Sequence, residues 1–364
     1  MKVWYKQIGL LVLLSFFFTL VPFGFEVSLA QPAKPTVAPM KLRFNGIHPA
    51  GALLSRAWKL WMDKVTEKTN GRITFETYWA STLLGAGELL DGTGKGLADV
   101  SSGIWIFDPG KVPLGSFDAN FLFNNPSTAA SVKIKRQMFA EIPALNAELA
   151  KWNLGPAIYF APSTRYDLLT KKPVKTLGDL KGLRIAHTPV ELVPAFKVIG
   201  TASIIAPAPE FYSQLERGLV DGVCLPLSIQ GIFKLHEVAK HYTTINLNTL
   251  VIFTTYINGG TWKKLSPGDQ QIWKDAAIEA EKYFLTGLDQ EDTNLKKIFK
   301  DAGVQFYTMP ADDIKQWAAA MPDIPAEWAK KMEAKGLPGW QIVDKYLELS
   351  KKEGWEFPRK WGVR

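Results

Sequence analysis

Histidine and cysteine are the residues of this chain most able to bind a metal or to act as nucleophiles. The four histidines are His48, His187, His236 and His241, and the one cysteine is Cys224. Only His236 and His241 are close in sequence, but they are five residues apart, whereas two zinc ligands on one helix face are four apart. The spacing therefore predicts no metal site.

No motif for nucleophilic catalysis is present in the sequence. A Gly-x-Ser-x-Gly turn is absent, and Cys224 lies in an apolar run, where it is predicted to be a buried structural residue. Glycine-rich runs at residues 84–88 and 92–96 do not complete a phosphate-binding loop. An enzyme would have to assemble a carboxylate, a histidine and a nucleophile from distant positions, and this is the alternative to a binding function.

Basic and acidic residues are mixed along the chain. It has 43 Lys and Arg against 35 Asp and Glu, a formal net charge of +8. Because no long block of like charges occurs, this pattern predicts no nucleic-acid partner. A mild attraction for anionic solutes or an anionic membrane surface is the most that it supports.

The first 30 residues have the three parts of a secretory signal peptide. Lys2 and Lys6 precede an apolar run over residues 8–25, and small residues end at Ala30. We expect cleavage after Ala30, export to the periplasm and a flexible leader over residues 31–40. An uncleaved membrane anchor is the alternative.

Apolar periodicity predicts strands and helices in alternation, which is typical of an α/β fold with helices packed on a largely parallel sheet. Leu54, Trp58, Trp61 and Val65, for example, repeat at the spacing of one helix face. The alternation begins again near residue 155, so we predict a second α/β lobe.

The longest predicted helix covers residues 267–302. Ser266 and Asp269 fit a capping box at its start, and Pro267 occupies the favoured first position. At 1.5 Å per residue this helix would be about 50 Å long, which exceeds one small lobe. We therefore expect it to span both lobes, and a break near Gly287 is the alternative.

Three motifs between residues 159 and 226 resemble those of the DctP-type extracytoplasmic solute receptors of tripartite ATP-independent periplasmic (TRAP) transporters. They are Arg165 followed by Lys171-Lys172-Pro173, the segment DLKGLRI over residues 179–185, and EFYxxLxxGxVDG over residues 210–222. The resemblance implies a two-lobe periplasmic binding protein fold with a hinge-closing cleft. It also implies no enzymatic turnover, no cofactor and no metal.

The same resemblance implies how the chain is divided and what it contacts. Lobe I would comprise residues 41–162 and 251–285, and lobe II residues 163–250 and 286–335, with a C-terminal helical tail over residues 336–364. The receptor would be a monomer that docks transiently on the small and large TRAP membrane subunits. An ABC-type or sensor-linked receptor is the alternative.

Residues at the ligand positions of this family differ from the usual pattern. Counting from Gly182, the family arginine that pairs with a substrate carboxylate corresponds to Ala186, and the family's phenylalanine and asparagine correspond to Ala208 and Leu225. Arg165 is the remaining cation at a position where related receptors contact an anion. We therefore predict that Arg165, Ala186, Ala208 and Leu225 face the ligand.

Four further candidates lie at predicted strand ends, where ligands meet α/β proteins. His48, Trp79 and Trp105 come from the first lobe, and His187 adjoins the vacated arginine position. The two tryptophans could stack on an aromatic ligand. Together these positions predict a roomy, apolar cleft for a neutral, amine-bearing or aromatic solute, or for an aromatic acid held by Arg165, rather than a C4 dicarboxylate.

Overall fold

The computed structural model describes residues 38–105, 108–124, 127–162, 165–247 and 252–364. The predicted signal peptide and most of the predicted leader lie outside these residues. Within the described residues, no helix is both long and apolar enough to cross a membrane.

Two β-sheets organise the described residues. The strands are β1 Met40–Asn45, β2 Ile73–Tyr78, β3 Val100–Ile104, β4 Phe160–Pro162, β5 Tyr166–Thr170, β6 Arg184–His187, β7 Ala202–Ile205, β8 Gly222–Pro226, β9 His241–Thr244, β10 Ile252–Ile257 and β11 Gln305–Thr308. The first sheet has the order β2-β1-β3-β10-β4, and the second has the order β11-β9-β5-β8-β6-β7. Each sheet is the centre of one α/β lobe.

The α-helices pack around these sheets. They are α1 Leu53–Lys68, α2 Leu89–Gly94, α3 Thr128–Glu141, α4 Pro143–Ala150, α5 Val193–Lys197, α6 Phe211–Glu216, α7 Leu227–Ile232, α8 Gly259–Lys264, α9 Pro267–Asp301, α10 Ala311–Ala320, α11 Ile324–Glu333 and α12 Gly339–Lys352.

Both sheets are mixed, which corrects the prediction of largely parallel sheets. Strand β10 is antiparallel to β3 and β4, and β5 is antiparallel to β8 and β9. The physical reason is the path of the chain. It passes from the end of β4 in the first sheet to β5 in the second, and from the end of β9 back to β10. Strand β5 therefore begins at the edge where β8 ends, and β10 begins at the edge where β3 ends. Each must run in the direction opposite to that neighbour.

Helix α1 confirms the periodicity predicted for it. Trp58, Trp61 and Val65 are buried on one face. The Trp61 ring meets Trp273 of α9 edge to face at 5.0 Å, and its indole N–H donates to the Trp273 carbonyl at 3.1 Å. This aromatic cluster fixes α9 against the first lobe.

Helix α9 is continuous over 35 residues, so no break occurs at Gly287. The Ser266 hydroxyl accepts from the Asp269 N–H at 3.1 Å, and the Asp269 carboxylate accepts from the Ser266 N–H at 3.2 Å. The predicted capping box is therefore confirmed. Near the other end of the helix, Phe299 is buried in the core of the second sheet, so α9 contacts both lobes.

The C-terminal helices are integral to the core. Trp317 of α10 is fully buried and meets Phe123 from the first half of the chain and Phe196 of α5, at ring distances of 5.5 and 5.7 Å. In α12, Val343 and Tyr346 are also buried. The segment predicted as a helical tail thus contributes to the hydrophobic cluster that joins the two lobes.

Candidate functional site: an apolar cleft between the sheets

A cavity of about 340 Å³ lies where strands of both sheets end. That volume falls within the roughly 300–1,000 Å³ typical of small-molecule sites. His48 follows β1 and Ile104 ends β3 in the first sheet, whereas Thr188 follows β6 and Leu225 lies at the end of β8 in the second. Strand ends that meet at a sheet edge are the usual place for ligands in α/β proteins.

Three helices complete the walls of this cavity. Helix α1 contributes Leu53 and Leu54, helix α7 contributes Ile229 and Ile232, and helix α9 contributes Phe284, Leu288 and Glu291 as a floor. The cavity is thus lined by elements of both lobes, and most of its lining is aliphatic or aromatic.

A few polar groups are set into this apolar lining. They are His48, Tyr166, Thr188, Ser228 and Glu291. The His48 ring meets the edge of Phe253 at 5.2 Å, and burial lowers its pKa, so the imidazole is neutral near pH 7. Tyr166 is 5% exposed, and its hydroxyl has no hydrogen-bond partner among the described residues. It is therefore available to a polar group of a ligand.

Of the eight residues predicted from sequence, three line this cavity: His48, Ala208 and Leu225. Two others, Ala186 and His187, are fully buried in β6. The Ala186 side chain belongs to the same hydrophobic cluster as Leu225. His187 bonds the Ser203 hydroxyl and stacks on Phe196 at 5.5 Å, and burial lowers its pKa to about 4.

Arg165 lies in a neighbouring cavity of about 470 Å³. It is exposed, and its guanidinium donates to the Asn246 side chain at 3.2 Å. Asp292 and Lys296 of α9 line the same space, and Leu288 lines both cavities. Successive residues of a strand point to opposite faces, so in β5 Tyr166 reaches the apolar cavity while Asp167 reaches the polar one.

The two predicted tryptophans lie away from the apolar cavity. Trp79 packs on Phe44 at 5.3 Å and lines a groove beside α1. Trp105 is 2% exposed, stacks on Phe139 at 5.3 Å and lies beneath the buried ammonium of Lys135 at 4.6 Å. Both rings are packed within the first lobe.

Among the polar residues of the cavity, sequence reasoning missed Tyr166, Thr188, Ser228 and Glu291. Tyr166 directly follows the predicted Arg165 and begins β5, in which strand alternation places it on the face opposite to Asp167. The signal for Glu291 is stronger, because it interrupts the apolar face of α9 between Leu288 and Leu295. A polar residue where periodicity calls for an apolar one often marks a functional site.

Two lobes, an apolar cleft between them and a long helix across both define a solute-binding protein. Residues 44–331 match the bacterial extracellular solute-binding proteins of family 7, the DctP family. The chain belongs to this family.

Known members show how far the likeness extends. The chain is 28% identical over 287 residues to the 2,3-diketo-L-gulonate-binding periplasmic protein YiaO of Escherichia coli, covering 78% of this chain and 86% of that protein. A TRAP periplasmic solute-binding protein from Desulfovibrio salexigens superposes with a TM-score of 0.79 at 22% identity, over 88% of this chain and 98% of that one. A marine metagenome TRAP solute-binding protein specific for aromatic acids gives 0.73 at 22% identity, over 87% and 99%. These two structures support the two-lobe fold.

Proposed function

We propose that this protein is the periplasmic receptor of a TRAP transporter and captures a mainly apolar organic solute in the cleft cavity. The observation that carries the proposal is the lining of that cavity, in which aliphatic and aromatic side chains from both lobes surround a few polar groups. Family membership supports the receptor function, and the lining supports the class of solute.

The chemistry of the lining disfavours small dicarboxylates. No Lys or Arg lies among the described residues that line the cavity, so a dicarboxylate would lack a fixed cation there. Each carboxylate oxygen left without a partner in a closed cleft would cost about 1 to 3 kcal/mol. An apolar ligand surface instead gains about 25 cal/mol for each Å² that it buries.

Capture would occur by hinge closure about α9 and about the two connections between the sheets, from β4 to β5 and from β9 to β10. A solute that touches α1 from one lobe and α7 from the other stabilises the closed state, and the membrane subunits recognise that state. We assign residues 41–162 and 251–285 to one lobe and residues 163–250 and 286–335 to the other. The mature receptor, cleaved after Ala30, would act as a monomer without chemical turnover.

A thermal-shift screen tests this function. The panel contains C4 dicarboxylates, sialic acid, aromatic acids, indoles, polyols and amines, and a true ligand raises the Tm because it binds the folded state. We expect hits among compounds with an aromatic or other apolar body, recovered unchanged after incubation. A sub-micromolar dicarboxylate hit would sink the proposed solute class, and consumption of a hit would favour an enzyme.

An aromatic acid is the second candidate solute, because Arg165 immediately precedes Tyr166 of the cavity. For such a ligand, loss of a bidentate contact in Arg165→Ala would weaken binding roughly 30- to 1000-fold. For a neutral or amine-bearing solute we expect the same substitution to leave the affinity unchanged. Calorimetry with the best hit separates the two cases.

A further inference from the structure

Glu291 occupies a position on α9 where the helix period places an apolar residue. Positions 284, 288, 291, 295 and 299 are three to four residues apart, which is the spacing of one helix face. All of them except Glu291 are Phe or Leu. Phe284 and Leu288 line the cavity, and Leu295 packs against Gly231 of α7. The floor of the apolar cavity therefore includes one carboxylate.

The Glu291 carboxylate is only partly compensated by its surroundings. It accepts no hydrogen bond from the residues that the structure describes. The nearest cation, the Arg56 guanidinium, is 3.8 Å away and lines an outer groove with Glu291. Other N–H groups of Arg56 donate to the Gly51 carbonyl and the Tyr283 hydroxyl. The Glu291 side chain is 42% exposed. Its partial burial raises its pKa, the charge of Arg56 opposes the rise and that of Asp292 adds to it, so a further cation would be favourable there.

The rest of the described cavity lining offers no competing charge. Its other titratable groups are His48, which burial keeps neutral, and Tyr166, whose pKa burial raises. Asp292 turns towards the neighbouring cavity, where Lys296 pairs with it at 3.5 Å. A ligand in the apolar cavity thus meets a single carboxylate at one side and hydrocarbon over most of the remainder.

We propose that the solute bears a cationic amine, whose ammonium group binds the Glu291 carboxylate while its apolar body fills the space between α1, α7 and the strand ends. This inference rests on the proposed receptor function. An ammonium group supplies up to three N–H donors to a carboxylate that lacks them. An anionic solute would meet repulsion at the same place and no cation in the described lining.

Three compounds of one shape provide the test. 2-Phenylethylamine, 2-phenylethanol and phenylacetate share a ring and a short chain but are cationic, neutral and anionic. We expect calorimetry on the full-length mature protein to rank them amine, alcohol, acid. In Glu291→Gln the amine should lose about tenfold or more in affinity, because a charge-assisted hydrogen bond is removed, while the alcohol is unaffected.

Glu279→Gln is the matched control. Glu279 lies on the same helix, pairs with Lys68 and is not part of the cavity lining, so its substitution changes the net charge equally and should leave all three affinities unchanged. Equal or tighter binding of the alcohol or acid by the wild-type protein would overturn the amine assignment and leave the receptor function intact. If none of the three binds at millimolar concentration while a dicarboxylate does, the amine assignment and the proposed apolar solute class both fail, whereas the receptor function stands.

Discussion

Asp167 shows how one buried carboxylate holds the region beside the cleft together. It is 5% exposed on β5 and accepts hydrogen bonds from the Tyr242 hydroxyl at 2.7 Å, the Ile245 N–H at 2.8 Å and the Asn246 N–H at 3.0 Å. Burial raises the pKa of Asp167, and these three donors oppose the rise. The start of β5 is thereby tied to the chain that leaves β9, where it passes between the lobes.

Asp167→Ala should lower the free energy of unfolding by about 3 kcal/mol, because it leaves buried N–H and O–H donors without an acceptor. Tyr242→Phe, which removes only one of the bonds, should cost about 1 kcal/mol. Urea denaturation measures both, and Asp289→Ala, at an exposed position on α9, serves as the control. A loss below that of Tyr242→Phe would show that Asp167 is not the organising acceptor.

At the scale of elements, α9 links the lobes through its sides as well as its ends. Glu281, in the first half of the helix, is 4% exposed, accepts the Phe160 N–H of β4 at 2.7 Å and pairs with Arg136 of α3. Burial is the largest influence on this carboxyl and raises its pKa to about 7. The first lobe is thus attached to the helix by a group that titrates near neutrality.

This pKa has a direct consequence for stability against pH. The unfolded carboxyl titrates near its ordinary pKa of 4.5, so between about pH 4.5 and 7 the folded protein keeps a proton that the unfolded chain has lost. The free energy of unfolding should therefore fall as pH rises through this window, by up to roughly 3 kcal/mol, and then level off.

Glu281→Gln should flatten that dependence, measured as the difference between urea midpoints at pH 5 and pH 8. Glu148 titrates in the same direction, with its pKa raised to about 7 by burial, so a smaller slope should remain. Glu279→Gln, at an exposed ion pair on the same helix, should behave like the wild-type protein. An unchanged slope in Glu281→Gln would mean that Arg136 keeps the carboxyl ionised throughout.

On the scale of the whole molecule, one large hydrophobic cluster joins the lobes in addition to the smaller core beside each sheet. The cluster includes Leu145 of α4, Ile185 of β6 and Leu349 of α12. Trp317 lies between Phe123 and Phe196 and donates its indole N–H to the Ala195 carbonyl at 2.6 Å. The proposed hinge closure would have to leave this cluster packed, so the moving surfaces would lie on the side of the cleft.

Trp317→Ala should lower the free energy of unfolding by about 3 to 5 kcal/mol, because it opens a large cavity where the lobes join. The loss should affect both lobes in a single transition, since the cluster that it disrupts contains residues of both. Calorimetry can follow this, with Trp317→Phe as a milder comparison that keeps most of the ring contacts. Two separate transitions, with only one of them shifted, would show that the lobes unfold independently.

Local features of the fold could be predicted from the sequence. The capping box of Ser266 and Asp269 and the buried face formed by Trp58, Trp61 and Val65 depend on residues a few positions apart, so they are written in the spacing of side chains. The antiparallel strands β5 and β10 could not be predicted in this way. Their direction depends on where the chain crosses between lobes, which is a non-local property.

The candidate site was likewise predictable from the sequence only in part. Motif spacing identified the region of the cleft and predicted that Ala208 and Leu225 face the ligand. Both residues line the apolar cavity beside His48. Which neighbours complete that cavity was decided only by the tertiary structure. The pleat of β5 sends Tyr166 to one side and Asp167 to the other, and the rotation of α9 places Glu291 at the cavity. The direction of a side chain is fixed by the packing of the element that carries it, and that packing involves residues distant in sequence.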